Sequence, residues 1–131
     1  MAKNQAVRRA FTLIELMVIM AIIVILTAIA IPNFIKAKMA TNDVLAQATL
    51  KTIGKAMEVY LVATGFYPTD PSALTGAVPP YLNEDYFTGT RNGFTYSQAM
   101  DVGSYTITAT PVIVGQTGTT NYTITTGGDF Q

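Results

Sequence analysis

From residue 11 to residue 31 the chain reads FTLIELMVIMAIIVILTAIAI, apolar at every position except Thr12, Glu15 and Thr27. As a helix this stretch rises about 31 Å, close to the ~30 Å hydrocarbon thickness of a bilayer. Pro32 comes next. It has no N–H and its ring crowds the preceding turn, which predicts a kink or local unwinding near residues 28–32. Residues 33–64 then become amphipathic. Met39, Ala46, Leu50, Ile53, Met57 and Tyr60 recur at spacings of three, four or seven and make one apolar stripe. Lys38, Gln47, Lys51, Lys55 and Glu58 fall largely outside it. Joined into one rod, the two halves would span about 80 Å, longer than a chain of this size needs for its own core.

The pattern changes at Gly65, a natural helix stop. Residues 65–93 hold Pro68, Pro71, Pro79, Pro80, Gly76, Gly89 and Gly93 and predict a loop with one short helical turn near 71–75. Residues 94–131 alternate apolar and polar positions and are rich in Thr, Tyr, Ile and Val, the signature of strands. The clearest runs are 94–96, 104–109 and 122–126. In the second, Tyr105, Ile107 and Ala109 share one face and Thr106, Thr108 and Thr110 the other; Pro111 marks a strand end or edge. Three antiparallel strands packed on the amphipathic stripe make a small α+β head over 33–131. The organisation is thus a leader (1–10), a membrane-length helix (11–32), an amphipathic helix half (33–64), a connecting loop (65–93) and a sheet (94–131).

Composition sharpens this picture. Half of the residues are hydrophobic and only 12% are charged, against about 25% in a soluble domain. The deficit of charge is concentrated at the amino end. Lys3, Arg8 and Arg9 precede the apolar run with no acid among them, which predicts a cytoplasmic amino terminus. Without those three cations, five basic residues face eight acidic ones. The formal charge of zero gives no sign of nucleic-acid specificity. No Cys or His is present, so disulfides, thiolate chemistry and imidazole catalysis are excluded. No nucleophile-and-base set is spaced for catalysis, and no cofactor motif occurs. Asp85, Asp101 and Asp129 are too few and scattered for the six to eight oxygen ligands that calcium takes. Asn121-Tyr122-Thr123 fits the short glycosylation pattern.

The stretch Arg9-Ala10-Phe11-Thr12-Leu13-Ile14-Glu15-Leu16 resembles the processing site of the type IV pilin superfamily, which comprises type IV pilins and type II secretion pseudopilins. The likeness is close over residues 8–34, including Pro32-Asn33-Phe34, and Gly65-Phe66-Tyr67-Pro68 resembles the segment that follows the helix in major pseudopilins. The resemblance implies that a prepilin peptidase and N-methylase cuts between Ala10 and Phe11 and methylates the new Phe11 amine. Ala10 departs from the family's usual Gly by one methyl group. The resemblance further implies a homopolymeric helical filament, raised from the inner membrane by an assembly platform and an ATPase. In that setting Phe11 and Glu15 are the assembly residues. Glu15 is an acid that favours the positive end of its own helix, or the partner of a neighbouring subunit's Phe11 ammonium inside a greasy filament core, where an unpaired carboxylate is costly. The chain reads as the structural subunit of an extracellular type IV pilus. A major pseudopilin is the alternative within the family; a singly anchored membrane binding protein is the alternative outside it.

Overall fold

The computed structural model of the chain describes residues 11–131. The basic leader, with Lys3, Arg8, Arg9 and Ala10, lies outside the described residues. The order of elements is α1 (Leu13–Thr64), α2 (Ser72–Thr75), β1 (Thr90–Arg91), β2 (Phe94–Asp101), β3 (Ser104–Pro111), β4 (Tyr122–Thr125), a 3-10 turn (Thr126–Gly128) and β5 (Asp129–Phe130). The chain divides into two compact units, the first ending at Phe34 and the second running Ile35–Gln131.

The first unit is the apolar part of α1. Every residue from Phe11 to Phe34 is exposed. The helix continues through Pro32 without unwinding, although the proline supplies no N–H for the carbonyl four residues earlier, that of Ala28.

In the second unit the rest of α1 packs on a five-stranded antiparallel sheet of order β1-β2-β3-β4-β5. Each strand pairs with its chain neighbour, so the sheet is a simple meander. α1 stops at Thr64 because Gly65 adopts a left-handed conformation (φ 86°) and donates its N–H to the Leu61 carbonyl. The β2–β3 pair runs in register from Phe94↔Pro111 to Asp101↔Ser104. Alternation along β3 buries Tyr105, Ile107 and Ala109 while Thr106, Thr108 and Thr110 face outward. Pro111 closes β3.

Two short strands, β1 and β5, extend the three that the alternation signals. β1 is placed by an Asn92-Gly93 turn whose residues both have positive φ (50° and 76°), the geometry that suits the twist of a tight hairpin. Gly93 is needed for a second reason: a Cβ there would come within 2.7 Å of the Thr117 Cβ. β5 is held by Thr123 and Gln131, which exchange backbone hydrogen bonds at 2.9 and 2.8 Å.

The core of the head joins Leu50, Ile53 and Met57 of α1 to Phe94, Tyr105, Ile107 and Ile124 of the sheet, with Leu74 and Leu82 from the connecting segment. Gly54 lets the sheet approach the helix, since a Cβ there would lie 2.5 Å from the Ile124 Cδ1.

Candidate functional site

The helix begins with a reciprocal cap. Thr12 precedes the first helical residue and Glu15 lies three residues on. The Thr12 backbone N–H and hydroxyl both donate to Glu15 Oε2 at 3.3 Å, and the Glu15 N–H donates back to the Thr12 hydroxyl at 3.3 Å. This is the capping box, two orphan donors of the first turn satisfied by two side chains. It sets the carboxylate at the positive end of the helix, beside the residue that follows Phe11. The signal was present in the sequence as Thr-x-x-Glu before an apolar run. Phe11 itself is 72% exposed.

Beyond the cap nothing polar interrupts the apolar surface. The Thr27 hydroxyl folds back on the Ile23 carbonyl of its own helix, which satisfies it locally. No residue of the most apolar 18-residue window is buried. A helix that is apolar on all sides is stable only when something covers it, and this chain leaves the whole stretch uncovered.

The amphipathic half has the opposite character. Ala46, Leu50, Ile53 and Met57 are fully buried, and Tyr60 is half-buried against the core. Two polar residues on the same helix face, three and four residues from Met39 and Ala46, are also buried, Asn42 and Asp43. The Asn42 amide donates to the Thr117 carbonyl at 2.8 Å. Asp43 accepts from the Thr119 N–H at 3.0 Å and the Thr119 hydroxyl at 2.8 Å. Together they fasten the 112–121 loop to the lower part of the head helix. Gly118 fits beneath the Phe94 ring, where a side chain would collide.

Glu58 lies off the stripe, yet it is half-buried and is the hub of the upper head. Its Oε1 accepts from the Tyr67 hydroxyl, the Tyr105 hydroxyl and the Gly127 N–H, each at 3.1 Å. The helix, the Gly65–Pro68 segment, β3 and the C-terminal turn thus meet on one carboxylate. Burial, then the hydrogen bond to Glu58 and its charge, push both phenols above the usual tyrosine range. The sequence alone gave no pointer to this cluster, because its members are far apart along the chain.

Asp85, Asp101 and Asp129 sit on three different elements: the loop before β1, the end of β2, and β5. Asp85 caps its own loop through the Phe87 N–H and Thr88 hydroxyl. Among the described residues no three acidic side chains gather as a metal site would require.

Comparison with known proteins bears on the amino-terminal part. Residues 6–31 match the family model described as the prokaryotic N-terminal methylation motif. The chain is 39% identical over 66 residues to the type IV wide pilus major component PilA4 of Thermus thermophilus, half of each chain being covered. It is 50% identical over 52 residues to the type IV major pilin protein PilA of Myxococcus xanthus, covering 40% of this chain and 24% of that one. The chain therefore spans half the length of one of these relatives and about a quarter of the other.

Proposed function

We propose that this chain, a member of the type IV pilin superfamily, is a structural subunit of an extracellular type IV pilus, made as a membrane-anchored precursor. One observation carries the reading: an all-round apolar helical stretch over residues 11–34 with a single capped carboxylate and no buried residue. In the precursor the bilayer covers that helix. In the filament, copies of the same helix cover one another. Lipid tails are as apolar as the helix, so the transfer gains little hydrophobic free energy, and packing and charge pairing supply the specificity. One relative named above is called a pilus component and the other a major pilin, which favours a pilus over a secretion pseudopilus.

The roles of individual residues follow. A prepilin peptidase and N-methylase cuts between Ala10 and Phe11 and methylates Phe11. Cleavage creates an ammonium next to Thr12. The Thr12–Glu15 box keeps the carboxylate at that end of the helix, poised to pair with the Phe11 ammonium of a neighbouring subunit. Pro32 lowers the cost of opening the helix around Ala28, so that the rod can bend and lengthen as it packs. Lys3, Arg8 and Arg9 hold the precursor's amino end in the cytoplasm, and an inner-membrane platform with an ATPase drives extraction.

Mass spectrometry and electron microscopy of native material test the reading together. The expected result is filaments whose subunits begin at N-methylated Phe11. Solitary subunits retaining Met1, with no filaments, would overturn it.

A further inference from the structure

The head carries an apolar trough that its core leaves open. One wall is Lys55, Ala56 and Val59 of α1, the other is the Val78-Pro79-Pro80 stretch, and the cavity measures about 520 Å³. Val78 is 99% exposed and Val59 57%. Lys55 supplies a cation at the rim, and among the described residues it has no ion-pair partner. Trough and rim together ask for an apolar knob with a negative charge beside it.

The same head presents such a knob on another surface. Asp101 and Ser104 close a two-residue turn between β2 and β3, with Val102 at its tip and 56% exposed. Among the described residues the Asp101 carboxylate accepts only the adjacent Val102 N–H, at 2.7 Å. The tip is held firmly, because the Tyr67 N–H donates to the Val102 carbonyl at 3.0 Å. It also projects: a Cβ on Gly103 would meet nothing within 4 Å. Tip and trough share no residue, so one copy's tip in the next copy's trough is a heterologous contact, and a heterologous contact that does not close builds a filament.

We propose that the Asp101–Val102 turn of one subunit seats in the Lys55–Val59–Val78 trough of a second copy, with Val102 against the apolar walls and Asp101 facing Lys55. The inference rests on the pilus reading and names a contact between heads that the reading leaves open. The opposite charges set register and orientation; the valine excludes water from the trough.

The chain has no cysteine, so engineered pairs report cleanly. A disulfide needs Cβ atoms within about 4.5 Å. Val78→Cys and Val102→Cys chains, co-expressed and oxidised as filaments, are expected to give a disulfide dimer on non-reducing gels. Either variant alone stays monomeric, as does Val78→Cys with Ile113→Cys, which places the thiol on a different exposed loop. Lys55→Glu and Asp101→Lys are each expected to cut surface filament by about tenfold, and the double exchange to restore it. Self-dimers of Val102→Cys, pairing of Val78→Cys with Ile113→Cys, or a double exchange no better than the singles would overturn the contact. Abundant wild-type filaments without the mixed dimer would remove the contact and spare the pilus reading. A wild-type chain that makes no filaments would remove both.

Discussion

The two halves of α1 each carry aliphatic residues and one glutamate, yet each residue class behaves differently in each half. Before Phe34 every aliphatic side chain is exposed, and the lone acid, Glu15, bonds only to Thr12 of its own first turn. Past residue 42 Ala46, Leu50, Ile53 and Met57 form a stripe that the sheet covers, and the glutamate there, Glu58, gathers three donors from three other segments. The head half is complete within one chain. On the proposed function, the amino-terminal half is completed by neighbouring copies that supply apolar cover and a cation. That difference separates stability from assembly within one continuous helix: substitutions in the head should change folding, and substitutions near Glu15 should change polymerisation while leaving the head intact.

The largest expected effect is the loss of filaments from Glu15→Leu. Removing a carboxylate from a membrane helix relieves a cost of about 2.5–3.5 kcal/mol at mid-bilayer and less near an end, so the precursor should accumulate in the membrane as well as the wild type does. Immunoblots of membrane and sheared surface fractions separate the two steps. Normal filaments from this variant would erase the distinction between the halves, as would a lower unfolding midpoint of its head in detergent.

The head supplies the next effect. Leu50→Ala empties a fully buried site and should cost about 2–5 kcal/mol, read as a fall in the denaturant midpoint of the full chain in detergent. Leu16→Ala, of the same chemistry on an exposed surface, should leave that midpoint unchanged. Equal effects from the two would show that burial at Leu50 does not set the difference.

How far the sequence foretells this division depends on whether the signal is local. The membrane-length helix, the stripe from Ala46 to Tyr60, the stop at Gly65 and the alternation of β3 are periodic or punctuated patterns, each contained in one continuous stretch of chain, and each is readable from order alone. β1 was equally local: Asn92-Gly93 is a hairpin signal, hidden because the strand that it serves is only two residues long. The Thr12–Glu15 cap could also be read from spacing. The partners of Asn42, Asp43 and Glu58 could not. Asn42 and Asp43 meet partners some 75 residues away, and Glu58 meets Tyr105 across 47 and Gly127 across 69; periodicity puts Asn42 and Asp43 on the covered face of the helix but names none of these partners. The trough beside Val78 was illegible for the same reason, since its two walls come from segments that only the fold brings together.

Glu58 gives a smaller effect with a pH signature. Tyr105→Phe removes one of three bonds to a half-buried carboxylate and should cost about 1–3 kcal/mol. Both phenols, Tyr67 and Tyr105, are raised above their ordinary value in the folded head by burial and by Glu58. Above about pH 10 the unfolded chain therefore loses phenolic protons that the folded head still holds. Stability from this source is fully present below pH 10 and declines as pH rises. Unfolding midpoints measured from pH 8 to pH 11 should fall at the alkaline end for wild type and fall less for Tyr105→Phe. A wild-type midpoint that is flat or rising over that range would mean the phenols are not held as described.

Glu84 completes the series as the acid that should matter least to folding. Its carboxylate meets Arg91 Nη1 at 2.7 Å, the shorter contact of the two glutamates in the head, yet the side chains are 49% and 33% exposed. Water competes for both charges, and holding two long side chains costs entropy, so such pairs contribute about 0–1 kcal/mol. Arg91 also donates to the Asp85 carbonyl at 3.0 Å and lies 4.9 Å from the centre of the Tyr86 ring, contacts that survive without Glu84. Glu84→Gln should therefore leave the head's denaturant midpoint nearly unchanged, and 0.5 M salt should shrink the difference further. Glu58→Gln, by contrast, should exceed it severalfold and be insensitive to salt, because Tyr67, Tyr105 and Gly127 converge on its carboxylate from inside the head. If the two substitutions proved equal, the number of donors gathered on a carboxylate would have no bearing on what it contributes, and the contrast between the capped acid at the helix start and the hub in the head would have to be drawn from something other than their partners.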